Sequence, residues 1–179
     1  MPTETLMPTP KGMYRDVLRD AHGRLLWDRG WSNNAIVVDC RRLLASFMGG
    51  APAPTLGVQG LRVGAGLAAW DVTPPPPPTG TETALTDPNP FLVGGAALAF
   101  TFLDGGVPSA TPTNRLQIVA TIGPNQPNWP DANHLTGNLR EFGLVGQLGG
   151  APVLINIVRH PVIAKDPTST LERTIWLVF

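Results

Sequence analysis

Any acid–base, nucleophilic or metal chemistry in this 179-residue chain would have to be built from few side chains, and among the most reactive are three histidines and a single cysteine. His22 reads as a turn residue, His134 as a loop residue and His160 as a strand-end residue. No two of them stand at H-x-x-x-H spacing, and no carboxylate falls at the matching interval of a zinc site. Convergence in space stays open; scatter is the favoured reading. Cys40 alone excludes an internal disulfide or a multi-cysteine zinc site. On the apolar face of a helix it reads as a small buried residue rather than a reactive thiol. The G-A-G at Gly64 to Gly66 lacks the third glycine, the G-K-[ST] and the following helix of a phosphate loop. A strand end with close backbone approach is the favoured alternative. Asp104, beside Gly105 and Gly106, and Glu141 are the one carboxylate pair considered for hydrolysis. A turn aspartate and a solvent-facing strand residue are the plainer reading. No G-x-S-x-G occurs. No catalytic residue, cofactor or metal ligand is assigned, and an enzyme, as a hydrolase, ranks last.

The elements that would position such residues are mostly strands. The last third of the chain carries apolar, β-branched and aromatic runs between turn residues, ending I-W-L-V-F at Ile175 to Phe179. Such a run is expected to be pinned inside a sheet or against a partner. Residues 1–12 read as an extended arm, and residues 13–179 as one β-sandwich domain. Within it, 13–31 reads as a hairpin turning at D-A-H-G, with an Arg/Asp mixture forming a solvated or subunit-facing rim. Residues 32–49 read as the single long helix, about four turns, capped by Ser32, Asn33 or Asn34 and stopped by Gly49 and Gly50. Its apolar face is Ile36, Val37, Cys40, Leu43, Leu44 and Phe47. Residues 71–90 form a Pro-rich crossing segment, with five consecutive prolines at 74–78 that hold polyproline II for roughly 15 Å. Thr83 to Leu85 is a candidate short edge strand. Residues 91–179 make the main sheet, including a strand ended by Pro161. The predicted fold is mainly β: an antiparallel β-sandwich with one packed α-helix and extended Pro-rich arms.

Composition narrows the partners. Net charge is zero, and charged residues are 15% of the chain, against roughly 25% in ordinary domains. A neutral, weakly charged surface is a poor nucleic-acid binder, so none is expected. It is also poorly protected against self-association. Gly and Pro number 20 each, which favours turns over long helices. No basic region followed by an apolar run begins the sequence, and no apolar stretch reaches the ~20 residues of a membrane span.

The order N-N-A-I-V and its helix, L-R-V-G-A-G, L-R-E-F-G-L-V-G, L-I-N-I-V-R-H-P-V-I-A-K and L-E-R-T-I-W-L-V-F resembles structural proteins of tailed bacteriophages and related contractile injection particles. The resemblance covers roughly residues 30–179 and rests on Asn34, Ile36, Val37, Gly64, Gly66, Glu141, Gly143, Leu144, Lys165 and Trp176. The proline run and the N-terminal hairpin depart from the pattern. It implies a virion protein made in the host bacterial cytoplasm: a tail, baseplate, neck or fibre-attachment component. Its expected partners are its own copies, as a ring or trimer, and other virion structural proteins. Contacts are expected at Trp31, Trp70, Pro74, Pro76, Pro78, Asn128, Trp129 and Asp131 and along the N-terminal arm; Trp27 and Trp176 read as core. Trp129 is either an exposed partner contact or a clamp on its own core. The alternative function is a receptor-binding module that grips a host-surface glycan, with Trp129 stacking a sugar and Asn128, Asp131 and Asn133 bonding its hydroxyls.

Overall fold

The computed structural model of the chain describes residues 10–50 and 52–179. It is mainly β: eleven antiparallel strands and one α-helix. The strands are β1 (Lys11–Arg19), β2 (Leu25–Ile36), β3 (Leu56–Gly64), β4 (Phe91–Gly94), β5 (Leu98–Asp104), β6 (Val107–Ser109), β7 (Arg115–Ile122), β8 (Asn138–Leu148), β9 (Ala151–Leu154), β10 (Asn156–Ala164) and β11 (Thr170–Val178). The helix α1 spans Val38–Met48.

The predicted hairpin forms, with Gly23 at φ 78° in its turn, a left-handed conformation that glycine adopts without steric cost. Its return strand runs further than expected. Ser32, Asn33 and Asn34 pair with Tyr14, Met13 and Gly12 instead of capping the helix. The helix therefore starts six residues later than the predicted 32, at Val38, after an N-cap Val37 that offers no side-chain bond. The Val38 amide is served by the Gly80 carbonyl at 2.8 Å, so the Pro-rich segment caps the helix. Gly49 and Gly50 end it, as expected. Of the predicted arm, residues 1–9 lie outside the described residues, while Lys11 and Gly12 belong to β1.

The strands follow one hydrogen-bonded path, β4-β3-β8-β10-β2-β1-β11-β7-β5-β6, with β9 beside β8. Instead of the two separate sheets of a sandwich, a two-pair ladder joins the halves, Asn156 to Ile36 and Ile157 to Ala35. Beyond that corner the two halves share one core. Tyr14 of β1 meets the Phe142 ring of β8 edge-on at 5.2 Å. Ile175 and Leu177 lie in the same cluster as Leu61 and Leu144. Each such fully buried aliphatic or aromatic side chain contributes about 1.5–3 kcal/mol.

Strand β11 alternates strictly: Leu171, Arg173, Ile175 and Leu177 are buried, while Glu172, Thr174, Trp176 and Val178 are half-buried on the other face. It lies between β1 and β7, the pinned position its apolar run predicts. Trp176 thus stands on the outer face and not in the core; Trp27 is half-buried against the core. Pro161 does not end its strand. It sits inside β10 where the β8 ladder shifts register between Arg159 and Ile163. A residue without N–H is tolerated at such a bulge. Arg29 of β2 donates to the carbonyls of Pro161 and Val162, both at 2.7 Å, and so braces the corner. Thr83 to Leu85 forms no strand; Leu85 is buried in a smaller cluster with Val37, Val145, Leu154 and Ile157. Gly143 is demanded by close approach, since a Cβ there would meet the Asn156 carbonyl oxygen at 2.5 Å.

Candidate functional site

One group of titratable side chains joins the loop after β7 to the Pro-rich segment and β8. Asp131 makes a tight loop: its Oδ1 accepts from the amides of Asn133 and His134, both at 2.8 Å. The same oxygen lies 2.8 Å from His134 Nδ1, and His134 Nε2 lies 3.0 Å from Asp87 Oδ2. Trp129 stacks on the imidazole, with ring centroids 3.8 Å apart. Asp87 also accepts from the Ala65 and Asn89 amides at 2.8 Å. Behind it Glu141, fully buried, accepts from the amides of Thr86 at 3.0 Å and Asp87 at 2.6 Å. The predicted solvent-facing Glu141 is therefore wrong, and Asp104 does not join it, being exposed at the end of β5. Glu141 follows strand alternation less than it follows the demand of two loop amides for an acceptor. Nearby, Arg140 forms a two-point pair with Asp71 at 2.6 and 2.7 Å and donates to the Ala65 carbonyl. The hydrogen bond to Arg140 holds the Asp71 carboxyl below the usual range. A cleft of about 410 Å³ opens beside this group, lined by Gly66, Asp71, His134, Thr136 and Arg140. Its carboxylates are aimed at backbone amides and at each other's partners, so the arrangement ties three segments together.

A second polar group lies in the core between the two halves. Arg173 of β11 makes a two-point pair with Asp16 of β1 at 2.6 and 2.8 Å, both side chains fully buried. The predicted Arg/Asp rim holds for Arg15 with Asp28 and Arg24 with Asp20, but Asp16 turns inward. The Arg173 guanidinium lies over the Phe142 ring at 3.7 Å, and its Nη2 is 3.1 Å from His160 Nε2. His160 Nδ1 donates to the Pro161 carbonyl at 2.8 Å, so Nε2 is the acceptor for Arg173. Burial, with the Arg173 charge, pushes His160 down to about 3, against an opposing pull from Asp16. Burial pushes the Asp16 carboxyl up, but the Arg173 charge and hydrogen bonds overcome it and hold it below the usual range. Lys165, also buried, donates to the carbonyls of Gly123 and Ser169 at 2.7 Å, and burial lowers it to about 8. Cys40 is buried on α1, its thiol pushed up to about 11 by that burial.

The outward faces are different in kind. Trp31 on β2 is 38% exposed and packs on Trp176 with centroids 4.3 Å apart and planes at 46°. Trp176 donates to Gln117 at 2.9 Å, and the Arg115 guanidinium lies 5.5 Å over its ring. On the other half of the sheet Arg159 of β10 organises the proline run. It donates to the Pro76 carbonyl at 3.0 Å, stands 3.7 Å from Glu82 and lies over the Trp70 ring at 5.6 Å. Glu82 in turn accepts from the amides of Thr79 and Gly80. Pro75 and Pro78 are half-buried; Pro74, Pro76 and Pro77 are exposed.

Of the nominated residues, Trp31, Pro74 and Pro76 are exposed, Trp70 and Pro78 half-buried, and Asn128 and Asp131 exposed. Trp129 is only 8% exposed, which makes it a clamp on its own loop. Its face is given to His134, so it is not the open platform that the sugar-stacking alternative requires. The nominated tryptophans do not meet one another: their ring partners are Trp176, Arg159 and His134. Asp131 and His134 lie three residues apart in one loop, a spacing short enough for a local contact. Nothing in the sequence linked Asp87 to His134 or Asp16 to Arg173, because those pairs lie 47 and 157 residues apart. Among the described residues no group of three or more His, Cys, Asp and Glu side chains has metal-binding geometry. No helix among them is long and apolar enough to cross a membrane. No family model, no curated protein and no solved structure matches the chain.

Proposed function

We propose that the chain is a structural protein that assembles with copies of itself and with neighbouring subunits, in the manner of tail, baseplate, neck or fibre-attachment components of tailed-phage and contractile particles, and that its place is the virion. The observation that carries this reading is the contrast between its polar groups and its surface. The fully buried Asp16–Arg173 pair is turned inward to hold the fold, while tryptophan, proline and leucine side chains are left outside on a chain of zero net charge. Beyond the Trp31 face, Met48 is 91%, Val72 89% and Leu135 92% exposed. Low charge leaves little repulsion to oppose the burial of such residues between copies. The family resemblance of the sequence supports the same reading.

Light scattering coupled to size-exclusion chromatography tests it. A mass that rises with concentration toward a fixed multiple of 19.0 kDa is expected. A constant monomer up to about 1 mM, the weak limit of useful association, overturns self-assembly. Removing residues 1–9 tests the arm without cutting into β1, which begins at Lys11. Weaker association with an unchanged unfolding midpoint is expected; unchanged association removes that role.

A further inference from the structure

The proline run and the Trp31 face are complementary, and each is left open in the chain that carries the other. In polyproline II every third residue shares a ridge. Here Pro75 and Pro78, three apart, are the half-buried pair, and Pro74 and Pro77, also three apart, are exposed. The run is held against the body on one ridge and shows a second proline ridge to solvent. It is immobilised by Arg159 at the Pro76 carbonyl and by Glu82 at Thr79 and Gly80, so little conformational freedom remains to be lost on docking. Proline has no N–H, so between Pro74 and Pro78 the ridge offers carbonyl acceptors and no backbone donor.

The Trp31–Trp176 pair is the opposite kind of surface. It supplies two indoles packed against each other at a 46° tilt, an aromatic surface of the kind on which proline ridges dock, and it is rich in donors. The exposed Trp31 indole N–H makes no hydrogen bond, and Arg115 makes no ion pair, among the described residues. The guanidinium lies over Trp176 and makes no hydrogen bond among the described residues.

We propose that the Pro74/Pro77 ridge of one copy docks on the Trp31–Trp176 pair of the next, with Arg115 donating to the ridge carbonyls. Because the two surfaces differ, the contact is head-to-tail: it closes into a ring where the rotation closes, and otherwise propagates. A two-proline ridge covers too little area to hold an assembly alone, so it acts as the registering contact within a wider interface. This rests on the self-assembly reading above.

A head-to-tail contact has a test that a symmetric one lacks. Two variants are made: Pro74→Ser with Pro77→Ser, and Trp31→Ala. Each removes one surface and leaves the other. Arg115→Gln serves as a milder change on the Trp side. All lie on the surface, and unchanged circular dichroism and urea midpoints verify folding. By sedimentation velocity, each variant alone is expected to associate at least tenfold more weakly than the parent. Mixing the proline variant with Trp31→Ala is expected to restore one-to-one pairs and nothing larger, since one good ridge then meets one good Trp face. If the parent assembles and the variants assemble equally well, the contact is wrong and self-assembly stands. If the variants are weakened but the mixture restores no pairs, the contact is not head-to-tail between these surfaces. If the parent itself never associates, both readings fall.

Discussion

Two buried histidines in this molecule live in opposite electrostatic surroundings. His160 in the core faces a guanidinium, while His134 in the loop cluster stands between two carboxylates. The tautomer of His160 follows from its neighbours: Nδ1 gives its hydrogen to a carbonyl, and Nε2 keeps a lone pair for Arg173. At His134 both ring nitrogens face carboxylate oxygens, Nδ1 at Asp131 and Nε2 at Asp87. The core group ties neighbouring strands β1 and β11 through Asp16 and Arg173, and reaches the other half of the sheet where Arg173 meets His160 of β10 and the Phe142 ring of β8. The loop group holds connections in place at the periphery. The same residue type therefore does global work in one place and local work in the other, and the difference is set by what packs against it.

The comparison breaks most sharply at Arg173. Arg173→Met leaves the fully buried Asp16 carboxylate uncompensated and is expected to cost about 3–5 kcal/mol, read as a lower urea midpoint. Adding Asp16→Asn should recover part of that loss; no recovery would mean that the pair is not the source.

Acid comes next. His160 is neutral in the folded chain, with its pKa at about 3 against the ordinary 6.5. Below pH 6.5 the unfolded chain binds more protons at this site, so stability falls as pH falls from about 6.5 toward 3. The shift corresponds to on the order of 5 kcal/mol at the acid end. Asp16, held low by Arg173, adds its own loss as pH falls through its folded value. His160→Gln keeps a side-chain acceptor for Arg173 and is expected to flatten the dependence above pH 4. An unchanged slope would place the proton uptake elsewhere.

A smaller and more local effect is expected at the loop group. His134→Ala removes the partner of two carboxylates and the stacking surface of Trp129, at a cost of about 1–3 kcal/mol. Amide exchange should accelerate at Thr86, Asp87 and Asn133 while the β1–β11 ladder stays protected. Equal acceleration in both regions would erase the distinction between global and local roles. Smallest of all, Cys40 should resist thiol reagents at pH 8 until the chain unfolds, because its buried thiol sits near 11.

Much of the strand layout could be read from apolar runs and turn residues. The β1–β2 hairpin, β7, β8 and β11 stand where those put them, and in β11 period-two burial leaves a local record. The helix start could not be read so well. Ser32, Asn33 and Asn34 are good caps and also acceptable strand residues, and the long-range ladder to β1 won. Pro161 misled for the same reason: a local strand-breaker is tolerated once a bulge and Arg29 satisfy the surrounding carbonyls.

By itself the chain's order of residues determined that this protein is a β-sheet body with one helix, low charge and a stiff proline run, since each of these depends on near neighbours or on composition. Only the tertiary structure decided that Asp16 and Glu141 turn inward, that Trp129 closes on His134, and that Trp31, Trp176 and the Pro74/Pro77 ridge remain outside. Those outcomes depend on which distant groups meet, and on the cost of burying an unpaired charge or amide, and no stretch of sequence read alone carries that information.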